Sequence, residues 1–172
     1  GFGPLADIAG WVGVHEENGG VWTQVGNEIT GEWWGDAFGH SVSLSSDGKR
    51  VAIGGPWNDG IGVSAGHVRV YEESGGEGTQ VFYDIEGEAA GDYAGFSVSL
   101  SSDGTRVAVG AYRNDGTADN AGHVRIYRLF GAGWLQVGSD IDGEAGDDEF
   151  GHSVSLSSDG TVLAVGARNN DG

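Results

Sequence analysis

The chain has 172 residues, with 35 Gly, no Cys, no Met, two Pro, and 26 acidic side chains against eight basic ones, a net charge of -18. That charge repels phosphate backbones and anionic lipid, and eight scattered cations make no basic stripe, so nucleic acid is excluded as a partner. The absence of Cys excludes disulfides, thiolate catalysis and Cys-ligated zinc, and with no apolar run near the roughly 20 residues of a membrane helix, no membrane insertion is expected.

The N-terminal stretch contains AGWVGVHEENGG (9–20), which returns as AGHVRVYEESGG (65–76) and AGHVRIYRLFGA (121–132). A second motif lies between these copies. FGHSVSLSSDGKRVAIGGPWND (38–59) recurs as AGFSVSLSSDGTRVAVGAYRND (94–115) and FGHSVSLSSDGTVLAVGARNND (150–171), each copy 56 residues after the last. A fixed period of this size marks a repeat architecture.

Within one unit the elements read as strands in turn. Val42 and Leu44 alternate with Ser41, Ser43 and Ser45, the period of a half-buried strand. Ser46-Asp47-Gly48 follows as a tight turn, because glycine tolerates positive φ, and Val51 and Ile53 belong to a second strand. After a looser loop, 56–64, a third strand alternates Val68 and Val70 with His67, Arg69 and Tyr71. A Gly-rich turn, 74–78, leads to a fourth strand around 79–82, matched by 134–137 in the next unit. No stretch carries a helical stripe of useful length.

The expected fold is therefore all-β, a β-propeller of four-stranded antiparallel blades with three 56-residue repeats in content. A sheet with two apolar faces needs a neighbour on each side, and a ring of sheets supplies both. A stacked solenoid is the alternative, but its coils run to about 20–30 residues. The units divide the chain into 1–30, the second half of a blade unit, 31–86 and 87–142, two whole units, and 143–172, a first half.

Phe38-Gly39 and Phe150-Gly151, followed by a strand, a turn, and VAIGGP (51–56) or VAVGA (107–111), resemble the FG-GAP repeat of integrin α-subunit propellers and related extracellular proteins. The resemblance covers essentially the whole chain. It implies a secreted, extracellular or cell-surface module that binds other molecules and, in the integrin group, calcium held in a D-x-D-x-D-G-x-x-D loop between the first two strands. With Gly104 as the loop glycine, the ligand positions here hold Ser99, Ser101, Asp103 and Val107. The other copies give Ser43, Ser45, Asp47 and Val51, and Ser155, Ser157, Asp159 and Leu163. One carboxylate per loop falls short of a cation that wants six or more oxygens, so these read as plain turns and no cofactor is expected there.

Up-and-down connectivity sorts the acids by face. Glu16, Glu17, Asp47, Glu72, Glu73, Glu77, Asp103 and Asp159 fall on one face, and the other 18 of the 26 on the face of the 56–64 loop and the crossovers. That rim has two readings. One is a solvating, repelling surface. The other is calcium capture by Asp140, Asp142, Glu144, Asp147 and Asp148, which gather in one crossover without an EF-hand spacing.

Where positions recur they read as scaffold, so departures from the repeat carry the information. Trp33 and Trp34 stand where later units have Ala89-Ala90 and Ala145-Gly146, and Trp57 stands where they have Arg113 and Asn169. Rings beside carboxylates such as Asp59 suit stacking on a sugar or a protein hot spot, while the alternative is that they cap a blade junction. Trp22 and Trp134 recur near the start of the fourth strand and read as core. His40 with His152, and His67 with His123, recur and read as hydrogen-bonded within the blade. No G-x-S-x-G elbow occurs, and Gly60-x-Gly62-x-x-x-Gly66 opens a strand rather than a helix, so no catalytic residue is expected.

These readings converge on an extracellular or cell-surface binding or adhesion module, not an enzyme. It would recognise a glycan or protein through its acidic loop face, with Trp33, Trp34, Trp57 and Asp59 as the ligand-binding residues. The alternatives are a structural spacer of a large surface or filament protein, and a propeller hydrolase or lyase using paired rim carboxylates. Three blades are too few to close a ring. Tail and head halves would complete one blade between two chains, giving a six-bladed homodimer with C2 symmetry; otherwise the chain is a segment of a longer propeller with open edges.

Overall fold

A computed structural model describes residues 9–74 and 76–171. Among them every regular element is a strand, in four antiparallel sheets. The first pairs β1 (Trp11–Asn18) with β2 (Val21–Thr30) across the Gly19-Gly20 turn, where both glycines have positive φ. The second runs β3 (Ser41–Leu44), β4 (Arg50–Gly55), β5 (His67–Ser74), β6 (Glu77–Gln80), with β7 (Ile85–Glu86) also on β5. The third repeats this order as β8 (Ser97–Leu100), β9 (Arg106–Ala111), β10 (His123–Phe130) and β11 (Gly133–Gln136), with β12 (Ile141–Asp142) on β10. The fourth pairs β13 (Phe150–Leu156) with β14 (Leu163–Ala167).

The outer strand departs from the expected single strand around 79–82. After β6 the chain leaves the ladder, with Phe82 at φ 65°, and rejoins it at β7. The break brings Asp84 against Arg69, so an ion pair replaces ladder bonds at this point.

Apolar residues fill the spaces between sheets. Ala52, Val68, Val70 and Ile85 of the second sheet pack with Val98, Leu100, Val107 and Val109 of the third. Phe38, Val51 and Ile53 form a smaller cluster against Val12, Val14 and Ile29 of the first. Each fully buried aliphatic side chain contributes about 1.5–3 kcal/mol. The serine face of the short strands is not a solvent face. Ser41 Oγ donates to the Gly95 carbonyl and Ser97 Oγ to the Gly151 carbonyl, both at 2.7 Å. Leu100 N and Leu156 N donate to Ser43 Oγ and Ser99 Oγ, both at 2.9 Å. The hydroxyls thus stitch each sheet to the next. Close approach also explains two strand glycines: a Cβ on Gly54 or Gly110 would overlap the carbonyl of Gly95 or Gly151.

Equivalent positions are not equally covered. Val98 and Leu100 are 8% and 6% exposed, but Val42 and Leu44 are 53% and 49% exposed, because among the described residues the first sheet lays two strands against the second. Trp134 packs on the preceding sheet and donates Nε1–H to the Val81 carbonyl at 3.1 Å, whereas Trp22, with no preceding sheet among the described residues, is exposed and not the core residue expected. The strand-five histidine also departs from expectation. Among the described residues, His67 is buried with neither ring nitrogen hydrogen-bonded and His123 Nδ1 makes no hydrogen bond either, although Asp84 and Asp140 lie 3.5 and 3.7 Å from the two Nδ1 atoms. Burial pushes both imidazoles below their ordinary pKa, helped by the neighbouring Arg69 and Arg125 charges.

Candidate functional site

The loop after β4 is built by two short polar side chains. Asn58 accepts from Gly60 N at 2.9 Å and donates through Nδ2 to buried Asp36 Oδ2 at 2.8 Å, while Asp59 accepts from Ser64 N at 2.7 Å. Trp57 N donates to the Asp36 carbonyl at 3.3 Å. This ties the loop to the crossover that carries Trp33 and Trp34. The result is a cleft of about 640 Å³ walled by Trp33, Trp34 and Trp57, with Glu32, Asp36, Asp59, Asp84 and Glu86 along it. The four ligand residues expected from sequence, Trp33, Trp34, Trp57 and Asp59, all line this one cleft, and the three indoles are exposed.

Below the indoles lies a set of groups that the sequence reading did not single out. Arg69 holds Asp84 through Nε and Nη2 at 2.9 and 2.7 Å, and Nη2 also lies 2.8 Å from Glu32 Oε2. Burial works against ionisation of Asp84, but the Arg69 hydrogen bonds and charge outweigh it and hold the carboxyl below its ordinary value. Glu86 is the opposite case. Its Oε2 is buried without a hydrogen-bond partner among the described residues, and burial, with the Asp84 charge, pushes its carboxyl above the usual carboxylate range. Two carboxyls two residues apart are therefore driven in opposite directions, the arrangement in which one donates a proton while the other stays ionised. The recurring His-Val-Arg of the third strand was the available signal for Arg69, and Glu86 in place of Asp142 was the signal for Glu86.

The next unit repeats the frame without the indoles. Arg125 binds Asp140 at 2.9 and 2.7 Å and Glu88 at 2.7 Å, and Asn114 donates to buried Asp92 at 2.9 Å. The five acids read as a calcium set are dispersed by this frame. Asp140 is engaged by Arg125, Asp148 is buried and accepts from Ala145 N and Asn170 Nδ2 at 3.0 Å each, and Asp147 accepts from Asn120 Nδ2 at 3.1 Å. Asp142 of β12 stands opposite His123 of β10 in the ladder, and Glu144 is exposed. Among the described residues, the ligand atoms that do converge within 4.8 Å are those of Glu88, His123 and Asp140. There the Arg125 guanidinium already bridges both carboxylates. In the three tight turns, Asp47, Asp103 and Asp159 accept from the hydroxyls of Ser45, Ser101 and Ser157, two residues earlier, at 2.6–2.7 Å, which lowers each carboxyl, Asp159 to about 2.

Residues 86–127 match the model of the FG-GAP repeat. The search of curated proteins gives no match. Among solved structures, the chain is similar to a provisionally assigned 6-phosphogluconolactonase from Bacteroides fragilis NCTC 9343, with a TM-score of 0.55 and 15% identity, covering 80% of this chain and 35% of that one. It is similar also to the periplasmic gluconolactonase of Pseudomonas aeruginosa, with a TM-score of 0.55 and 15% identity, covering 88% of this chain and 41% of that one. The chain thus spans less than half the length of either. At this identity the likeness speaks for the fold. It corrects the expected function nonetheless: the framework matched is that of proteins named as lactonases, which are enzymes, and nothing matched favours a non-enzymatic adhesion module or spacer. The chain is an all-β protein of β-propeller type whose residues 86–127 match the FG-GAP repeat.

Proposed function

We propose that the cleft of Trp33, Trp34 and Trp57 is a hydrolytic site, in a propeller built from four-stranded antiparallel blades repeating every 56 residues. The observation that carries this reading is Glu86, a carboxyl with an unpartnered buried oxygen and a raised pKa on the wall of an aromatic cleft, beside an ionised Asp84. Indole faces suit the C–H face of a ring-shaped polyol. Glu86 in its protonated form gives its proton to the leaving oxygen of a lactone or ester as water adds to the acyl carbon. The acyl C–O bond breaks, the leaving oxygen departs as a hydroxyl, and the water supplies the oxygen of the new carboxyl and the proton that restores Glu86. The names of the two similar structures point to the same reaction class.

Hydrolysis of D-glucono-1,5-lactone tests this. Glu86→Gln is expected to lower kcat/KM by about 10²–10⁴, and Trp57→Ala to raise KM with less effect on kcat. Unchanged turnover in Glu86→Gln overturns the assignment. With this reading goes the proposal that two copies complete each other, the β14 edge of one pairing with the β1 edge of its partner. Exposed Val42 and Leu44, beside the two-stranded first sheet, support it. A location outside the cytoplasm accords with the repeat and with the periplasmic neighbour.

A further inference from the structure

The charge balance of the Trp cleft is lopsided. Its lining holds five carboxyl side chains, Glu86 among them, and no Lys, Arg or His. Arg69 beneath it is committed to Glu32 and Asp84, and Asn58 holds Asp36. Asp59 accepts from Ser64 N and Glu86 Oε2 from no donor, so neither carboxyl has a cation within ion-pair distance among the described residues. The next unit shows what is missing. At the position of Trp57 it has Arg113, whose guanidinium lies 5.4 and 5.5 Å from the ring centroids of Tyr93 and Tyr112. That copy sets its own cation over rings that stand where the first unit has Ala37 and Pro56, and the Trp cleft brings indoles and carboxylates together without one.

The missing cation is not a small hard ion. Such an ion needs several oxygens converging at about 2.3–2.6 Å, and among the described residues no three Asp, Glu or His side chains of this cleft bring ligand atoms within 4.8 Å of one another. A large, weakly hydrated organic cation has the opposite requirement: it is attracted by ring faces within about 6 Å of their centroids, indole best of all, with carboxylates at the rim completing its neutralisation. We propose that the cleft of Trp33, Trp34 and Trp57 binds an organic ammonium group, with Asp59 as its counter-charge, and that the ring-shaped substrate of the proposed hydrolysis carries this group. The inference rests on that cleft being the substrate site and narrows the substrate to a cationic class.

The test is titration of the intact chain, read by tryptophan fluorescence and calorimetry, with choline and with 3,3-dimethylbutan-1-ol, the neutral analogue of the same shape. Glucosamine and glucose form a second charged and neutral pair. Choline is expected to saturate and to bind at least tenfold more tightly than the alcohol, with glucosamine above glucose. Trp33→Ala and Asp59→Asn should each weaken choline about threefold to thirtyfold, with melting temperature within a degree or two of the parent, since both side chains are exposed. Equal affinity for the two members of each pair, or no saturation by choline, overturns the inference. Lactone turnover is scored separately: turnover without choline binding removes the cationic class and leaves the hydrolytic site, and choline binding without turnover does the reverse.

Discussion

Arg69 of β5 grips Asp84 with two parallel N–H···O bonds of 2.9 and 2.7 Å, and 56 residues on Arg125 grips Asp140 at the same two distances. The fork spans the gap where the outer strand leaves the ladder, so it replaces backbone pairing with a charge-assisted bond. Arg69→Met leaves Asp84 and Glu32 without their cation and is expected to cost about 3 kcal/mol or more. Arg69→Lys keeps the charge but loses the planar fork, and should recover only part of this. Urea melts of the three proteins check the order.

Acid should unfold the protein in two stages. The imidazoles of His67 and His123 have lowered pKa values when folded, so they contribute stability above the ordinary value of 6.5 that is lost as pH falls below it. Asp84, Asp140 and the three turn aspartates are lowered from 3.8, and their contribution is lost in a second, more acidic range. Replacing both histidines with leucine should flatten the first stage alone. Glu86 runs the other way: its raised carboxyl favours the folded state below the ordinary 4.5 and loses that contribution as pH rises. Glu86→Gln should therefore melt higher than the parent near neutral pH and lose this advantage near pH 4, as calorimetric scans across pH would show.

Asn58 and Asn114 make the same bond, to Asp36 at 2.8 Å and to Asp92 at 2.9 Å, but only the first anchors an indole loop. Asn58→Ala strands the buried Asp36 carboxylate and should cost about 1–3 kcal/mol, whereas Asn114→Ala leaves Asp92 the Ala89 N–H at 3.0 Å and should cost less. Loss of ligand affinity is expected for Asn58→Ala and not for Asn114→Ala. Comparable loss in both would show that the loop is not what positions Trp57.

Val42 and Leu44 lie open where Val98 and Leu100 are covered. Sedimentation of the chain at micromolar concentration should show a dimer, and Leu44→Glu should shift it to monomer while its circular dichroism stays that of the parent. A concentration-independent monomer in the parent sinks the proposed pairing of β14 with β1.

Alternation, turn glycines and the 56-residue spacing made the strands and their order legible in the sequence, and the departures from the repeated residues at Trp33, Trp34 and Trp57 marked the cleft. Those features are local or periodic, and each residue carries its own evidence. The Glu32, Arg69 and Asp84 cluster was not legible, because it joins a crossover, a mid-strand position and the gap after β6, and that gap follows no hydrophobic period.

What the sequence determined by itself is the all-β pattern, the repeat, and the tryptophans that depart from it. The tertiary structure alone decided which of the acidic charges are free. Sheet packing commits Asp36, Asp92 and Asp148 to asparagines and Glu32, Asp84, Glu88 and Asp140 to arginines, and among the described residues it leaves Glu86 Oε2 buried without a donor. A carboxylate's chemistry depends on the groups within a few ångströms of it, and in this fold those groups come from residues about 15 to 40 positions away along the chain.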